Sequence, residues 1–165
     1  MKIGLLSDTH SFLDPKIFDY FSDCDEVWHA GDIGNMDVCD QLSSFKPLVA
    51  VYGNIDDQKT RSSYPENQVF EREGFKIWIT HIGGYPPRYN PTIKKKLIEL
   101  KPDIFVCGHS HILKVISDPK LNNLLHLNPG ACGKHGFHQV KTLLRFDLNN
   151  KKISNMQVIE LGKRA

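Results

Sequence analysis

The chain is predicted to adopt an α/β fold in which two β-sheets pack face to face with helices on the outside. Two observations predict this. Up to about residue 52, short apolar β-branched runs alternate with amphipathic stretches, the order expected of parallel strands joined by right-handed crossovers. From residue 68 onward strand-like runs dominate, separated by turns containing Gly, Asn and Lys. A third observation concerns function: Asp, His and Asn residues stand directly past five of the strand-like runs.

The elements follow in order. Lys2 to Ser7 reads as the first strand. Asp14 and Pro15 open a helix reaching about Ser22, with proline at an early helical position. Glu26 to Ala30 is the second strand, Met36 to about Ser44 a helix, and Pro47 to Tyr52 the third strand. Gln68 to Arg72 and Phe75 to Thr80 form a hairpin about Glu73 and Gly74. Between Pro91 and Lys101, Ile93, Leu97 and Leu100 recur at helical spacing, so Lys94 to Lys96 form the solvated face of an amphipathic helix. Further strands are expected over Asp103–Cys107, Lys114–Asp118, Leu124–Leu127, Gln139–Asp147 and Ile153–Leu161, with Asn149 and Asn150 marking a hairpin turn. No repeat, low-complexity segment or linker interrupts this order, so residues 1–165 read as a single domain.

Bulk composition excludes several classes. Lys and Arg number 21 against 19 Asp and Glu, a net charge of +2 that argues neither for nor against a nucleic-acid partner. The four cysteines, Cys24, Cys39, Cys107 and Cys132, show neither a C-x-x-C pair nor zinc-ribbon spacing, which favours a reducing, cytoplasmic setting over a disulfide framework. Cys107 lies within an apolar run and reads as a small buried hydrophobe. The N-terminus enters a strand at once, unlike a signal peptide, and no apolar run is long enough to span a bilayer.

The polar groups past the strands are Asp8 and His10, Asp32 after Gly31, Asn54 after Gly53, His81 after Thr80, and His109 and His111 after Gly108. Ligands in open α/β sheets bind outside the carboxyl ends of strands, so one rim receives all seven side chains. On an extended backbone, residues i and i+2 share a side, so Asp8 and His10 are expected to reach one cation together, as are His109 and His111. A carboxylate such as Asp32 has two oxygens and can bridge two cations. The mixture of oxygen and imidazole donors suits Mn, Fe, Zn, Ni or Co better than an all-oxygen Mg or Ca cage. Two such cations about 3.5–4 Å apart clamp a phosphoryl group and lower the pKa of a bridging water, so that hydroxide attacks at neutral pH. Gly-Asp and Gly-Asn are each ordinary turn pairs; the signal lies in the joint, ordered set.

That ordered set resembles the calcineurin-like metallophosphoesterases. Length and layout are closest to the small bacterial and archaeal metallophosphodiesterase branch, to which the retromer scaffold subunit is related. The resemblance runs from Asp8 to the Asn128, Pro129, Gly130 turn. It implies a four-layer α-β-β-α sandwich of two mixed sheets flanked by helices. Carried over, one metal takes Asp8, His10, Asp32 and His111, and the second shares Asp32 and adds Asn54, His81 and His109. Asn54 would also face the substrate phosphate, and Asp32, Asn54 and His109 would form the catalytic group.

Two departures stand out. Many members of the wider superfamily carry His after the Asn of Gly-Asn; here the residue is Ile55, which offers no proton to a leaving group. Losing general-acid help costs about 10²–10⁴-fold, so good leaving groups are favoured. Asp56 then reads equally as an acceptor behind a ligand histidine or as an exposed turn carboxylate. The second departure is the Gly-rich stretch 131–138, which either brings Lys134 or His135 to a substrate phosphate or forms a flexible surface turn, the latter being slightly favoured. Arg88, beyond Gly83 and Gly84, is the candidate phosphate clamp. His29 and His126, each inside a strand, read as buried, hydrogen-bonded histidines.

Together these readings predict a binuclear metal-dependent phosphodiesterase acting on a small phosphoester, with manganese first among its cations. A broad phosphomonoesterase and a non-catalytic scaffold are the alternatives. Tyr85 and Tyr89 near His81 leave nucleic acid open as a substrate, no membrane partner is expected, and self-association is left open.

Overall fold

Alternating side chains along the strands decide the layering. In β1 (Lys2–Leu6), Ile3 and Leu5 point to one face and Leu6 to the other. The same alternation sets Trp28 against Val27 in β2 (Glu26–His29). In β5 (Phe75–Thr80) it sets Ile77 and Ile79 against Trp78, and in β8 (Ile104–Val106) it sets Ile104 and Val106 against Phe105. One face of each strand enters a shared central core and the other packs under helices, the period-2 signature of a sheet buried on both sides.

The computed structural model describes residues 1–165. Besides those four strands, the chain forms β3 (Leu48–Ala50), β4 (Asn67–Arg72), β6 (Gly84–Tyr85), β7 (Arg88–Tyr89), β9 (Lys114–Asp118), β10 (Leu124–Asn128), β11 (Val140–Asn149) and β12 (Lys152–Lys163). Its helices are α1 (Lys16–Tyr20), α2 (Met36–Phe45), α3 (Gln58–Ser63) and α4 (Pro91–Leu100). One five-stranded sheet runs β12-β11-β1-β2-β3 and the other β4-β5-β8-β10-β9, while β6 and β7 form a small ladder of their own. β1, β2 and β3 are parallel, as are β5, β8 and β10; antiparallel strands complete each sheet, so both are mixed. Leu5, Trp28, Ile79, Val106 and Phe146 meet between the sheets. Ile17, Phe21, Val38 and Leu42 seat α1 and α2 on the first sheet, and Ile93 and Leu97 seat α4 on the second. The result is the expected four-layer sandwich. Glu26 ties its layers, accepting from Trp28 Nε1 at 2.6 Å and from Arg72 Nε at 3.0 Å across the two sheets.

The lysines of α4 are exposed, and its N-cap Asn90 accepts from the Thr92 amide. Asn150 and Lys151 both take positive φ in the β11–β12 turn, as a two-residue I′-type hairpin requires. Other elements differ from expectation. The first helix is only five residues long, β3 is three, and α3 has no apolar stripe to betray it: Thr60 alone is buried, and the helix is started by Asp57, whose carboxylate accepts from the Thr60 amide at 2.9 Å. All four cysteines are free and buried, and no helix is long and apolar enough to cross a membrane.

Candidate metal centre

All seven expected ligand residues lie in loops just past the strands, on one rim. Asp8 and His10 follow β1, Asp32 follows β2, Asn54 follows β3, His81 follows β5, and His109 and His111 follow β8. The loops are laced to one another by backbone hydrogen bonds. Asp8 N–H donates to the Gly31 carbonyl at 3.0 Å, His10 N–H to the Asp32 carbonyl at 3.1 Å, and Gly108 N–H to the His81 carbonyl at 3.0 Å.

The extended backbone expected for the Asp8/His10 and His109/His111 pairs is not what brings them together. Both strands have ended, and Asp8, His10, Asp32, His109 and His111 all adopt left-handed backbone with φ of 56, 46, 52, 67 and 57°. A non-glycine residue there costs about 1–3 kcal/mol, so the surrounding contacts must hold five unfavourable conformations at once. Two glycines make the crowding possible. A Cβ at Gly53 would lie 2.1 Å from Asp32 Oδ1, and one at Gly31 would lie 2.6 Å from His81 Nδ1. Gly31 ahead of Asp32 and Gly53 ahead of Asn54 are therefore steric requirements as well as turn residues.

The donor atoms form two groups, Asp8 with His10 and His111, and Asp32 with His81 and His109; within each group the atoms lie within 4.8 Å of one another. Asp32 reaches both: its Oδ1 is 3.2 Å from His81 Nε2 and its Oδ2 is 3.6 Å from His10 Nε2. Asp8 Oδ1 stands 3.1 Å from His111 Nε2. Several of the other polar atoms in the cluster have partners within the protein. Asp8 Oδ2 accepts from Ser7 Oγ and the His109 amide, Asp32 Oδ1 from the Ile55 amide, and His81 Nδ1 donates to the Ala30 carbonyl at 2.7 Å, turning Nε2 inward. Asp8 Oδ1, His10 Nε2 and His81 Nε2 are buried with no hydrogen-bond partner. Buried polar atoms are otherwise almost always satisfied. Unpartnered carboxylate and imidazole atoms converging on one rim, with the His81 ring oriented by the Ala30 carbonyl, fit divalent cations.

Charge balance agrees. Burial works against protonation of His81, but the neighbouring Asp32 and Asp8 outweigh it and raise its pKa. Asp32 is likewise opposed by burial, yet His81, the Ile55 amide and His10 hold it below the usual carboxylate range. Beneath the centre lies His29, fully buried and held neutral by desolvation with its pKa near 3. Its Nδ1 accepts from the Gly31 amide and its Nε2 meets Thr9 Oγ1 at 2.9 Å, making it the hydrogen-bonded core histidine expected. His126 is also buried, though its Nδ1 has no partner.

Asn54 is exposed and lines a cleft of about 410 Å³ together with His81, Tyr52, Arg61 and Lys96. Arg88 stands on β7, exposed, and does not line that cleft. The residues that do bring positive charge there, Arg61 and Lys96, were not singled out from sequence.

Asp56 serves neither role expected of it. It is 3% exposed and accepts from three backbone amides, Ile33 at 3.1 Å, Gly34 at 2.7 Å and Gly53 at 2.7 Å. It therefore pins the loop carrying Asn54 to the loop carrying Asp32. Nor is 131–138 a free surface turn. The His135 ring lies 5.1 Å from that of His10, the His138 ring 5.2 Å from that of His111, and the Gly133 amide donates to the Asp8 carbonyl. Lys134 points elsewhere, its ammonium 4.3 Å from the Phe12 ring.

Comparison with known proteins identifies the family. Residues 1–151 match the calcineurin-like phosphoesterase superfamily domain. A probable metallophosphoesterase of Methanothermobacter thermautotrophicus is 31% identical over 136 residues, covering 79% of this chain and 77% of that protein. A phosphodiesterase of Methanocaldococcus jannaschii is 28% identical over 148 residues, covering 80% and 84%. Among solved structures, Vps29 of Entamoeba histolytica in complex with zinc superposes over the full length of both chains with a TM-score of 0.75 at 19% identity, a likeness of fold.

Proposed function

This chain belongs to the calcineurin-like phosphoesterase superfamily, and on that premise we propose that it is a binuclear metal-dependent phosphodiesterase. The observation that carries the proposal is Asp32, whose two carboxylate oxygens face separate donor groups, one toward His81 and one toward His10. Asp8, His10 and His111 would hold one cation and Asn54, His81 and His109 the other, with Asp32 shared. Manganese is the expected metal, and iron, zinc, nickel and cobalt suit the same donors. When bound, two such cations neutralise phosphoryl charge and acidify water.

The chain supplies the positioning, which is most of what phosphoryl transfer needs. Asp32 and Asp8 would hold the cations, His81 is oriented by the Ala30 carbonyl, and Asn54, on a loop anchored by Asp56, would offer its amide to a phosphoryl oxygen. Ile55 is exposed at the position after Asn54 and donates no proton, so diesters with stable leaving groups are the favoured substrates. The buried, free cysteines support a reducing, cytoplasmic location.

The test is hydrolysis of bis-p-nitrophenyl phosphate against p-nitrophenyl phosphate by metal-stripped protein with Mn²⁺ restored, beside Asp32→Ala. Calorimetry should count two Mn²⁺ per chain, turnover should favour the diester, and Asp32→Ala should lose it. Preference for the monoester would make the protein a phosphomonoesterase. Metal binding without turnover of either ester would leave a scaffold, and undiminished turnover in Asp32→Ala would refute the site.

A further inference from the structure

We propose that the 410 Å³ cleft beside Asn54 and His81 binds the ester arm that is not hydrolysed, and that Arg61 and Lys96 select arms carrying a second anionic group. The inference deepens the phosphodiesterase reading and rests on it for the word ester. The cleft falls in the range of about 300–1,000 Å³ typical of small-molecule sites. Because ligand residues form part of its wall, a phosphoryl group at the metal centre necessarily directs one substituent past Asn54 into it or away from it.

Charge says which substituent the cleft accepts. Its wall carries two cations, Arg61 and Lys96, against one carboxylate, Glu66. The Lys and Arg residues that pair with carboxylates are Lys2, Arg72, Lys141, Arg145 and Lys151, so neither cleft cation is neutralised within the protein. Arg61 is also held in place. Its Nε donates to the Asp56 carbonyl at 2.7 Å, its Nη2 to the Asn54 carbonyl at 3.0 Å, and its guanidinium lies 4.9 Å from the Tyr52 ring. A guanidinium ordered beforehand loses little freedom on binding, and its planar fork matches phosphate or carboxylate oxygens. Lys96 adds a second charge, its ammonium 6.0 Å from the Trp78 ring. The first turn of α4, at Thr92 and Ile93, lines the same space and contributes the positive end of its dipole. A fixed arginine, a free lysine and a helix start around one polar cleft fit an anionic arm, such as a nucleotide unit bearing a further phosphate.

The experiment compares calorimetric binding of thymidine 3′,5′-bisphosphate and thymidine 5′-phosphate to Mn²⁺-loaded protein. The bisphosphate should bind about tenfold more tightly, as one additional charge-assisted contact provides. That ratio should fall severalfold in Lys96→Met, recover in Lys96→Arg, and shrink with added salt as the charges are screened. Equal binding of the two nucleotides, binding of neither, or a ratio untouched by Lys96→Met overturns the proposal. Turnover of bis-p-nitrophenyl phosphate by the same preparation separates the two readings. Selectivity without turnover keeps the subsite and sinks the hydrolase; turnover without selectivity does the reverse.

Discussion

Replacing Asp56 should damage the metal centre without touching a ligand. Its carboxylate accepts amide hydrogens from Ile33, Gly34 and Gly53, and it is almost fully buried. In Asp56→Ala all three donors lose their acceptor, and leaving one buried donor unsatisfied costs about 1–3 kcal/mol. Some relief will come from water entering the vacated space, so a net loss of about 3 kcal/mol is expected rather than the full sum. For a chain of this size each kcal/mol lowers Tm by about 2–4 °C, which gives a drop of about 6–12 °C. Asp56→Asn should be intermediate: its amide oxygen keeps one side of the network, while its NH₂ opposes an N–H. Thermal unfolding followed by circular dichroism measures the loss, and Mn²⁺ calorimetry measures the second effect. With Asn54 and Asp32 no longer tied together, Mn²⁺ affinity should fall at least about tenfold, in the range seen when residues supporting a ligand shell are removed. Wild-type Tm and Mn²⁺ affinity in both variants would refute the reasoning. A lowered Tm with unchanged affinity would reduce Asp56 to a fold-stabilising residue.

Two further outcomes follow from the same geometry. Gly53→Ala places a methyl group 2.1 Å from Asp32 Oδ1, so Mn²⁺ binding should weaken by at least about tenfold while the fold persists; wild-type affinity by calorimetry would contradict the packing described. His29 gives a pH signature. Its folded pKa, near 3, lies below the ordinary value of about 6.5, so its contribution to stability is complete above about pH 6.5 and is lost as pH falls toward 3. Melting temperatures between about pH 6.5 and 4.5 should therefore decline in the wild type and decline less steeply in His29→Gln, where the likewise buried His126, its pKa pushed down to about 4, still contributes. Equal slopes in the two proteins would show that His29 is not the group responsible.

What was legible in the sequence depended on how local the determining contacts are. Strand identity and layer assignment follow from neighbours two residues apart, which is why Ile3, Leu5 and Leu6 already announce both faces of β1. The candidate ligands were legible as a set for a similar reason, since each stands within a few residues of the end of an apolar run. The function of Asp56 was not, because two of its three partners lie 22 and 23 residues away in another loop. Residues 131–138 show no period at all; their position over the centre is set by contacts such as Cys132 Sγ to the Ser7 carbonyl, between residues 125 apart in sequence. Arg61 escaped notice because α3 lacks an apolar stripe and because its partners are carbonyl oxygens, which every residue has.

The backbone of the ligand loops gives this division a mechanistic meaning. Five candidate ligand residues occupy left-handed conformations that remain costly even for Asp and His, which tolerate them better than most side chains. Those conformations persist because distant groups hold the loops from outside: Asp56 from the Asn54 side, the Gly133 amide from the 131–138 side, and Ala30 through His81. The side chains that would bind metal are thus specified locally, whereas their convergence is specified at long range. Removing a ligand and removing an anchor are therefore different experiments. Asp32→Ala takes away donor oxygens from an otherwise intact frame, while Asp56→Ala leaves every donor present and releases the frame that aims them. If preorganisation governs this centre, the second variant should lose metal affinity nearly as surely as the first, though it alters no atom that would touch the metal.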